Sequence, residues 1–268
     1  MPAADAPSPS PRATLGVAMC TRDNERTLDE VLGSIAPVAD RIVIVDSGSR
    51  DGTLDIARRY EATLLDREWD GPVAQKQYAI DQASDLDWVL LLDSDEVIEP
   101  ELQRAIRRVL ETATPAQDAF AINRRLRFRG HTLRHTFQPE WRTRLFRSGT
   151  GVVAGLGPNG RGGHDRVDVP GSVGQLPGYC LHDSWVDTAD MLRRYVGLGR
   201  RAAEYAPSGG RVIDLIVRPP SAFLKHYVLK RGFMDGRDGL IVALGVFVGN
   251  LMKHMMIAET RRSGGDRT

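Results

Sequence analysis

The stretch Trp88-Val89-Leu90-Leu91-Leu92-Asp93-Ser94-Asp95 decides the fold of this 268-residue chain. An unbroken apolar run of that length, closed by polar residues, reads as a buried strand. Its carboxyl end delivers Asp93 and Asp95, two positions apart, to the edge of a sheet. Ligands of open α/β sheets collect at such edges. Paired carboxylates supply the hard oxygen donors that suit Mg2+ or Mn2+ carrying a diphosphate. The same two residues also serve as ordinary turn formers, so the sequence before them must decide.

Strand and helix signals alternate from Thr14 to Leu92. Thr14–Cys20 reads as a strand. Thr27 then caps a helix that sets Leu28, Val31, Leu32 and Ile35 on one face. Arg41–Val45 reads as a second buried strand, running into the loop Asp46-Ser47-Gly48-Ser49-Arg50-Asp51-Gly52-Thr53. A helix over Leu54–Tyr60, a short strand Ala62–Leu65 and a helix Val73–Ala83 lead back to the strand that presents Asp93 and Asp95. The alternation predicts parallel pairing with right-handed crossovers, hence a Rossmann-like half-domain with polar strand ends along one rim.

Three segments then line up with a known family: Cys20-Thr21-Arg22-Asp23-Asn24-Glu25, Val45 to Thr53, and Leu92-Asp93-Ser94-Asp95-Glu96. Together they resemble the family 2 glycosyltransferases of GT-A fold. Arg142-Thr143-Arg144-Leu145-Phe146-Arg147, His164-Asp165, Leu181-His182 and Arg231-Gly232-Phe233-Met234-Asp235-Gly236 extend the resemblance. They are similar, in order, to the lipopolysaccharide core glycosyltransferase branch. The resemblance implies an α/β fold, a GT-A mixed sheet flanked by helices, with a C-terminal helical extension.

It also implies roles. Thr21 and Asn24 would line the pocket for base and ribose, and Asp46 would accept from the nucleobase. Lys76 would reach the base or diphosphate, and Asp93 the ribose or metal. Asp95 would ligate a divalent metal, Mn2+ or Mg2+, with His182 completing its site; a histidine hydrogen-bonded near a strand end is the other reading of His182. Arg22-Asp23-Asn24 stands where Tyr-Asn-Glu is common, which removes an aromatic platform for the base. The implied reaction is inverting transfer from a nucleotide sugar, UDP-linked by preference, to a cell-envelope glycolipid or saccharide. A divalent cation neutralises the leaving diphosphate, and a carboxylate takes the acceptor proton. Asp165 is the candidate base, standing where relatives carry Glu; Glu140 and Asp183 are its rivals.

Other features sort around that reading. Gly155-Leu156-Gly157-Pro158-Asn159-Gly160 matches GxGxxG literally, but Pro158 denies it the opening helix that the dinucleotide fingerprint needs. A loop near the acceptor is the better reading. No HExxH or other close zinc spacing occurs, and Cys20 and Cys180 lack partners at metal-ligand spacing. Arginines crowd between Arg124 and Arg147 in a chain of net charge +1. Arg142 and Arg144 among them suit an acceptor or phosphate, and no nucleic-acid motif accompanies the cluster. A nucleotidyltransferase would share the acidic site but wants a basic, glycine-rich triphosphate loop, which Cys20–Glu25 is not. A binding protein with a degenerate site is the non-enzymatic alternative.

The C-terminal third changes character. Asp187–Tyr205 reads as a helix. After Pro219-Pro220, Ser221–Arg231 sets Phe223, Leu224, Tyr227 and Val228 beside Lys225, His226, Lys230 and Arg231, the pattern of a basic amphipathic helix that lies on an anionic membrane. Gly239–Met252 is uncharged but, at fourteen residues before Lys253 and His254, falls short of the ~20 that span a bilayer. The expected organisation is a tail at 1–13 without the apolar core of a secretory signal, a catalytic domain at 14–186, a helical region at 187–260 and a tail at 261–268. Two cysteines without a disulfide framework suit a reducing compartment. The expected location is the cytoplasm, peripheral at the inner face of the cytoplasmic membrane.

Overall fold

The computed structural model describes residues 12–112, 115–155, 165–204 and 211–265, with side chains to Glu259. Four strands form as the alternation predicts: β1 (Leu15–Thr21), β2 (Arg41–Asp46), β3 (Thr63–Asp66) and β4 (Trp88–Leu91) pair in parallel in the order β3-β2-β1-β4. Between them run α1 (Glu25–Ile35), α2 (Thr53–Arg59) and α3 (Pro72–Asp81). The apolar face of α1 buries Leu28, Val31, Leu32 and Ile35 completely. With α4 (Pro100–Glu111) it covers one face of the sheet, while Ala79 and Ile80 of α3 pack on the other. Helices on both faces explain why these strands read as continuous hydrophobic runs.

Beyond β4 the sheet turns mixed. β5 (Glu96–Ile98), β6 (Ala119–Phe128), β8 (Trp141–Arg147) and β11 (Val173–Trp185) extend the order to β3-β2-β1-β4-β8-β6-β11-β5, and the short β7 (His131–Thr132) pairs with β6. β8 runs antiparallel to β4, and β11 lies parallel to β6 but antiparallel to β5. A separate ribbon pairs β9 (Val152–Ala154) with β10 (Arg166–Asp168). Gly178 breaks the β11 register at φ +90°, where a Cβ would lie 2.5 Å from the Leu102 amide nitrogen. Only glycine lets α4 approach so closely in that conformation.

α5 (Thr188–Glu204), α6 (Val212–Leu224) and α7 (Gly236–Gly265) form the C-terminal extension. It does not stand apart from the sheet: Val242 of α7 is fully buried in a cluster with Leu126, Phe128 and Leu133. Asp235 ties the same junction by accepting from the backbone amides of Arg134, His135 and Thr136 and from the Thr136 hydroxyl.

Three expectations change. Thr27 lies inside α1 rather than capping it; its buried hydroxyl donates to the Ser94 carbonyl at 2.8 Å, and Asn24 occupies the N-cap. Pro219 and Pro220 sit within α6 instead of preceding a helix, because proline removes an amide donor without obliging the chain to leave the helix. A π-helical turn, Lys225–Leu229, follows. Lys253 and His254 do not interrupt α7, which runs unbroken for 30 residues. Lys253 faces outward, so its charge costs the helix nothing, and His254 is 9% exposed.

Candidate active site

The parallel strands end together, and β1 and β2 bring Thr21 and Asp46 side by side. Both are buried, and the Thr21 hydroxyl donates to Asp46 Oδ2 at 2.7 Å. Oδ1 of Asp46 accepts from the amides of Gly48 and Ser49, and the Ser49 hydroxyl also donates to Oδ2. Asp46 therefore stands fixed at the strand end with both carboxylate oxygens engaged. Asn24 builds the neighbouring loop: its side-chain oxygen accepts from the Arg22 amide, and its own amide donates to the Thr53 hydroxyl. Asp23 between them holds φ 53°, the left-handed turn that points this loop toward Ser49.

Asp93 and Asp95 part ways. Asp93, no less exposed than Asp95, turns toward the basic residues: Lys76 Nζ lies 2.6 Å from Oδ1, Arg144 2.6 Å from Oδ2 and Arg124 3.8 Å away. Burial alone would raise this carboxyl, but the Arg144, Lys76 and Arg124 charges more than offset it and hold the group well below the usual carboxylate range. Glu96, fully buried at the start of β5, accepts from Arg124 at 2.8 Å, Arg144 at 2.9 Å and the Asp93 amide at 3.0 Å. Against the cost of burial, Arg144 and Arg124 lower it as well. Glu140 pairs with Arg124 and Arg142, and Asp165 Oδ2 meets Lys76 at 2.8 Å. Four acids thus face four bases: Asp93, Glu96, Glu140 and Asp165 against Lys76, Arg124, Arg142 and Arg144.

Asp95 stands outside that balance. Among the described residues its carboxylate meets only His182, whose Nε2 lies 3.6 Å from Oδ1, and both side chains are about one-fifth exposed. Pairing of β11 with β5 puts His182 opposite Glu96, and the Asp183 amide donates to the Asp95 carbonyl at 2.9 Å. No group of three or more His, Cys, Asp or Glu side chains is assembled for a metal among the described residues. Asp95 and His182 nonetheless fit a divalent cation that takes its other oxygens from a diphosphate and water, the usual arrangement for Mg2+. Bound there, the cation would neutralise charge on the diphosphate.

The remaining expectations fall out residue by residue. Lys76, expected at the base or diphosphate, bridges Asp93 and Asp165, and those charges raise it despite burial. Asp165 stands at the mouth of β10, held beside α3, which grips the ribbon through Gln77 and the Val153 amide. Its Oδ1 has no partner among the described residues. Of its rivals, Glu140 is held by two arginines, and Asp183 is held by Arg26 and Arg127. Arg144, expected at an acceptor phosphate, is 4% exposed and committed to Asp93 and Glu96 from within β8. Arg142, on the same strand, is half-buried and keeps company with Glu140. Residues 155–160, save Gly155, and His164 lie outside the described residues. Sequence reasoning gave no role to Glu96 or Arg124, although an acid one place after Asp95 and an arginine among the buried residues of β6 were the available signals. Cys20 also lines the floor; burial pushes its thiol up to about 12.

Comparisons with known proteins converge on one chemistry. The sequence model for glycosyl transferase family 2 matches residues 16–168. The chain is 28% identical over 254 residues to the lipopolysaccharide core biosynthesis glycosyltransferase LpsC of Rhizobium meliloti, covering 87% of this chain and 88% of that protein. It is 25% identical over 232 residues to an uncharacterised glycosyltransferase of Rickettsia prowazekii, covering 82% of this chain and 78% of that one. Among solved structures, the mannosyltransferase PcManGT from Pyrobaculum calidifontis, in complex with GDP-Man and Mn2+, aligns at TM-score 0.46 and 16% identity over 98% of this chain and 90% of that one.

Proposed function

This chain belongs to glycosyl transferase family 2, and on that premise we propose that it moves a sugar from a nucleotide-sugar donor to a cell-envelope glycolipid or saccharide, with inversion and with a divalent metal. The acceptor class rests on the likeness to LpsC, whose name assigns it to lipopolysaccharide core biosynthesis. UDP-sugars are the donors to test first. The observation that carries the reading is Asp95, whose carboxylate among the described residues meets only His182, at the rim beside the cluster of paired charges. A cation and a diphosphate supply what that rim lacks.

Each residue then has a task. Asp46 and Thr21 receive the base, with Ser49 yielding its hydrogen bond. Asp93 accepts from a ribose hydroxyl while Arg144 and Lys76 keep it ionised. Asp95 and His182 hold the cation. Asp165, whose Oδ2 is held by Lys76, takes the proton of the attacking acceptor hydroxyl. Lys76, shared with Asp93, fixes that carboxylate against the donor. Incubating the purified chain with Mn2+ and a panel of nucleotide sugars, and following nucleoside diphosphate release with and without a core oligosaccharide, tests this. Release from one donor, stimulated by acceptor and stopped by EDTA, is the expected result. Undiminished release in EDTA would sink the metal-dependent mechanism.

A further inference from the structure

The C-terminal extension exposes what a globular core would bury. Val212, Ile213, Ile216, Val217 and Leu224 lie along one face of α6, at spacings that superpose on a helix. Each is 49–72% exposed, and Leu229 just beyond is 78% exposed. Single exposed apolar residues are ordinary, but a continuous stripe of β-branched and leucine side chains marks a docking face. The charge around it indicates the partner. Arg211, Arg218 and Lys225 lie on the side of the helix away from the stripe, and Lys230 and Arg231 follow it, against one acid, Asp214, which Arg218 pairs at 2.8 Å. A helix with one apolar and one basic face suits the boundary between acyl chains and anionic headgroups.

α7 offers a competing way to meet a membrane. The 28-residue stretch Gly232–Glu259, a short turn followed by α7 as far as Glu259, is apolar enough by length and composition to span one. Its packing argues otherwise. Val242 is embedded with Leu126 and Phe128 of β6. Gly245 lies against Met191 and Gly249 against Tyr195, where added Cβ atoms would sit 2.1 and 2.6 Å from those side chains. Gly199 of α5 meets Met256 in the same way, so the two helices run side by side. α5 carries Arg193, Arg194, Arg200 and Arg201, all exposed. If α7 crossed a bilayer, it would draw those four guanidinium groups toward hydrocarbon, where charged side chains are rare and costly.

We propose that α6 lays its exposed apolar face on an anionic lipid bilayer, anchoring the enzyme from one side, while α7, half exposed itself, stays packed against α5 and β6 and does not cross the bilayer. The anchor is joined to the site. Lys230 Nζ donates to the Phe137 carbonyl at 2.8 Å, Asp235 clamps residues 134–136, and Glu140, three residues beyond Phe137, pairs with Arg124 beside Glu96. A docked α6 therefore presents the β7–β8 edge of the site to the lipid surface. That last consequence rests on the proposed lipid-linked acceptor; the docking itself does not.

Co-sedimentation of the full chain with vesicles tests the proposal without any sugar transfer. Phosphatidylcholine vesicles are compared with vesicles containing phosphatidylglycerol, for the parent, for Ile216→Asp/Val217→Asp, for Lys225→Ala/Arg231→Asn and for the α7 control Leu244→Asp. UDP binding in Mn2+ is measured on each as a check of the fold that is independent of lipid. The parent should pellet with anionic vesicles and be released by salt and by alkaline carbonate. The paired aspartates should abolish binding. Removing two basic residues, at ~1 kcal/mol each, should weaken it about 30-fold. Leu244→Asp should leave binding unchanged. Four results would overturn the proposal: no binding to anionic vesicles, retention through carbonate, loss of binding in Leu244→Asp alone, or a dimer that the paired aspartates dissociate.

Discussion

Glu96 is where the charge-balanced cluster can be tested most sharply. It is fully buried, and its carboxylate serves Arg124, Arg144 and the Asp93 amide at once. Removing one partner of a buried ion pair costs roughly 3–5 kcal/mol, because the other charge is left without compensation. Here each arginine keeps a second carboxylate, Glu140 for Arg124 and Asp93 for Arg144, so Glu96→Ala should fall near the low end, at about 3 kcal/mol. For a chain of this size that corresponds to a drop in Tm of roughly 6–12 °C. Glu96→Gln keeps the shape and an acceptor oxygen and should lose less. The pH dependence gives a second reading. Burial opposes ionisation of Glu96, but Arg144 and Arg124 outweigh it, so the folded protein holds this carboxyl below its ordinary 4.5. Its contribution is complete above that value and fades as pH falls through the lower, folded one. The stability gap between parent and Glu96→Gln should therefore be widest near neutrality and narrow below about pH 4.5. Thermal unfolding followed by circular dichroism from pH 3.5 to 7.5 measures both. A Tm within ~2 °C of parent for Glu96→Ala at pH 7, or a gap that widens on acidification, would refute the reasoning.

Asp95→Ala should abolish metal-stimulated transfer while leaving Tm near the parent value, because this carboxylate stands at the rim and meets only His182 among the described residues; calorimetric Mn2+ titration in the presence of UDP checks the loss directly. Asp165→Asn keeps an oxygen for Lys76 but cannot take a proton, so turnover should fall by ~10²–10⁴ with donor affinity near normal. If that variant is fully active and Glu140→Gln is dead, the base is Glu140. Gly249→Ala puts a methyl 2.6 Å from the Tyr195 ring and should cost about 1–3 kcal/mol by forcing α5 and α7 apart, read as a lowered Tm with the active-site chemistry intact.

What the sequence revealed and what it hid divide along physical lines. The strands β1, β2 and β4 were legible because burial on both faces writes itself as an unbroken apolar run, and α1 because its buried face repeats at helical spacing. The mixed second half was not, since β6 and β8 carry buried arginines and β11 is broken by Pro177 and Gly178, so none of the three looks like a core strand. Arg144 illustrates the difficulty. At 4% exposure it behaves as a core residue only because Asp93 and Glu96 meet it there, a pairing between positions about fifty apart that composition does not show. α7 was misjudged for the opposite reason. Counting stopped at Lys253, although one outward-facing lysine leaves the backbone hydrogen-bond ladder of a helix untouched.

The two acids of the Asp93-Ser94-Asp95 motif also turn out to do different work, and the register of the sheet is the reason. Asp93, at the end of β4, is paired with Lys76 and Arg144 and has Arg124 3.8 Å away, so its charge is already compensated within the protein. Asp95, two residues on, precedes β5, whose antiparallel pairing with β11 carries His182 to its side and ties the Asp183 amide to its own carbonyl. A shift of one residue between β5 and β11 would turn His182 to the opposite face of the sheet, leaving Asp95 alone. The proposed metal site at the rim therefore depends on Glu96 as well, because the residue that neutralises Arg124 and Arg144 is the one paired across the strands with His182. Stability at the cluster and chemistry at the rim are set by the same three-residue strand.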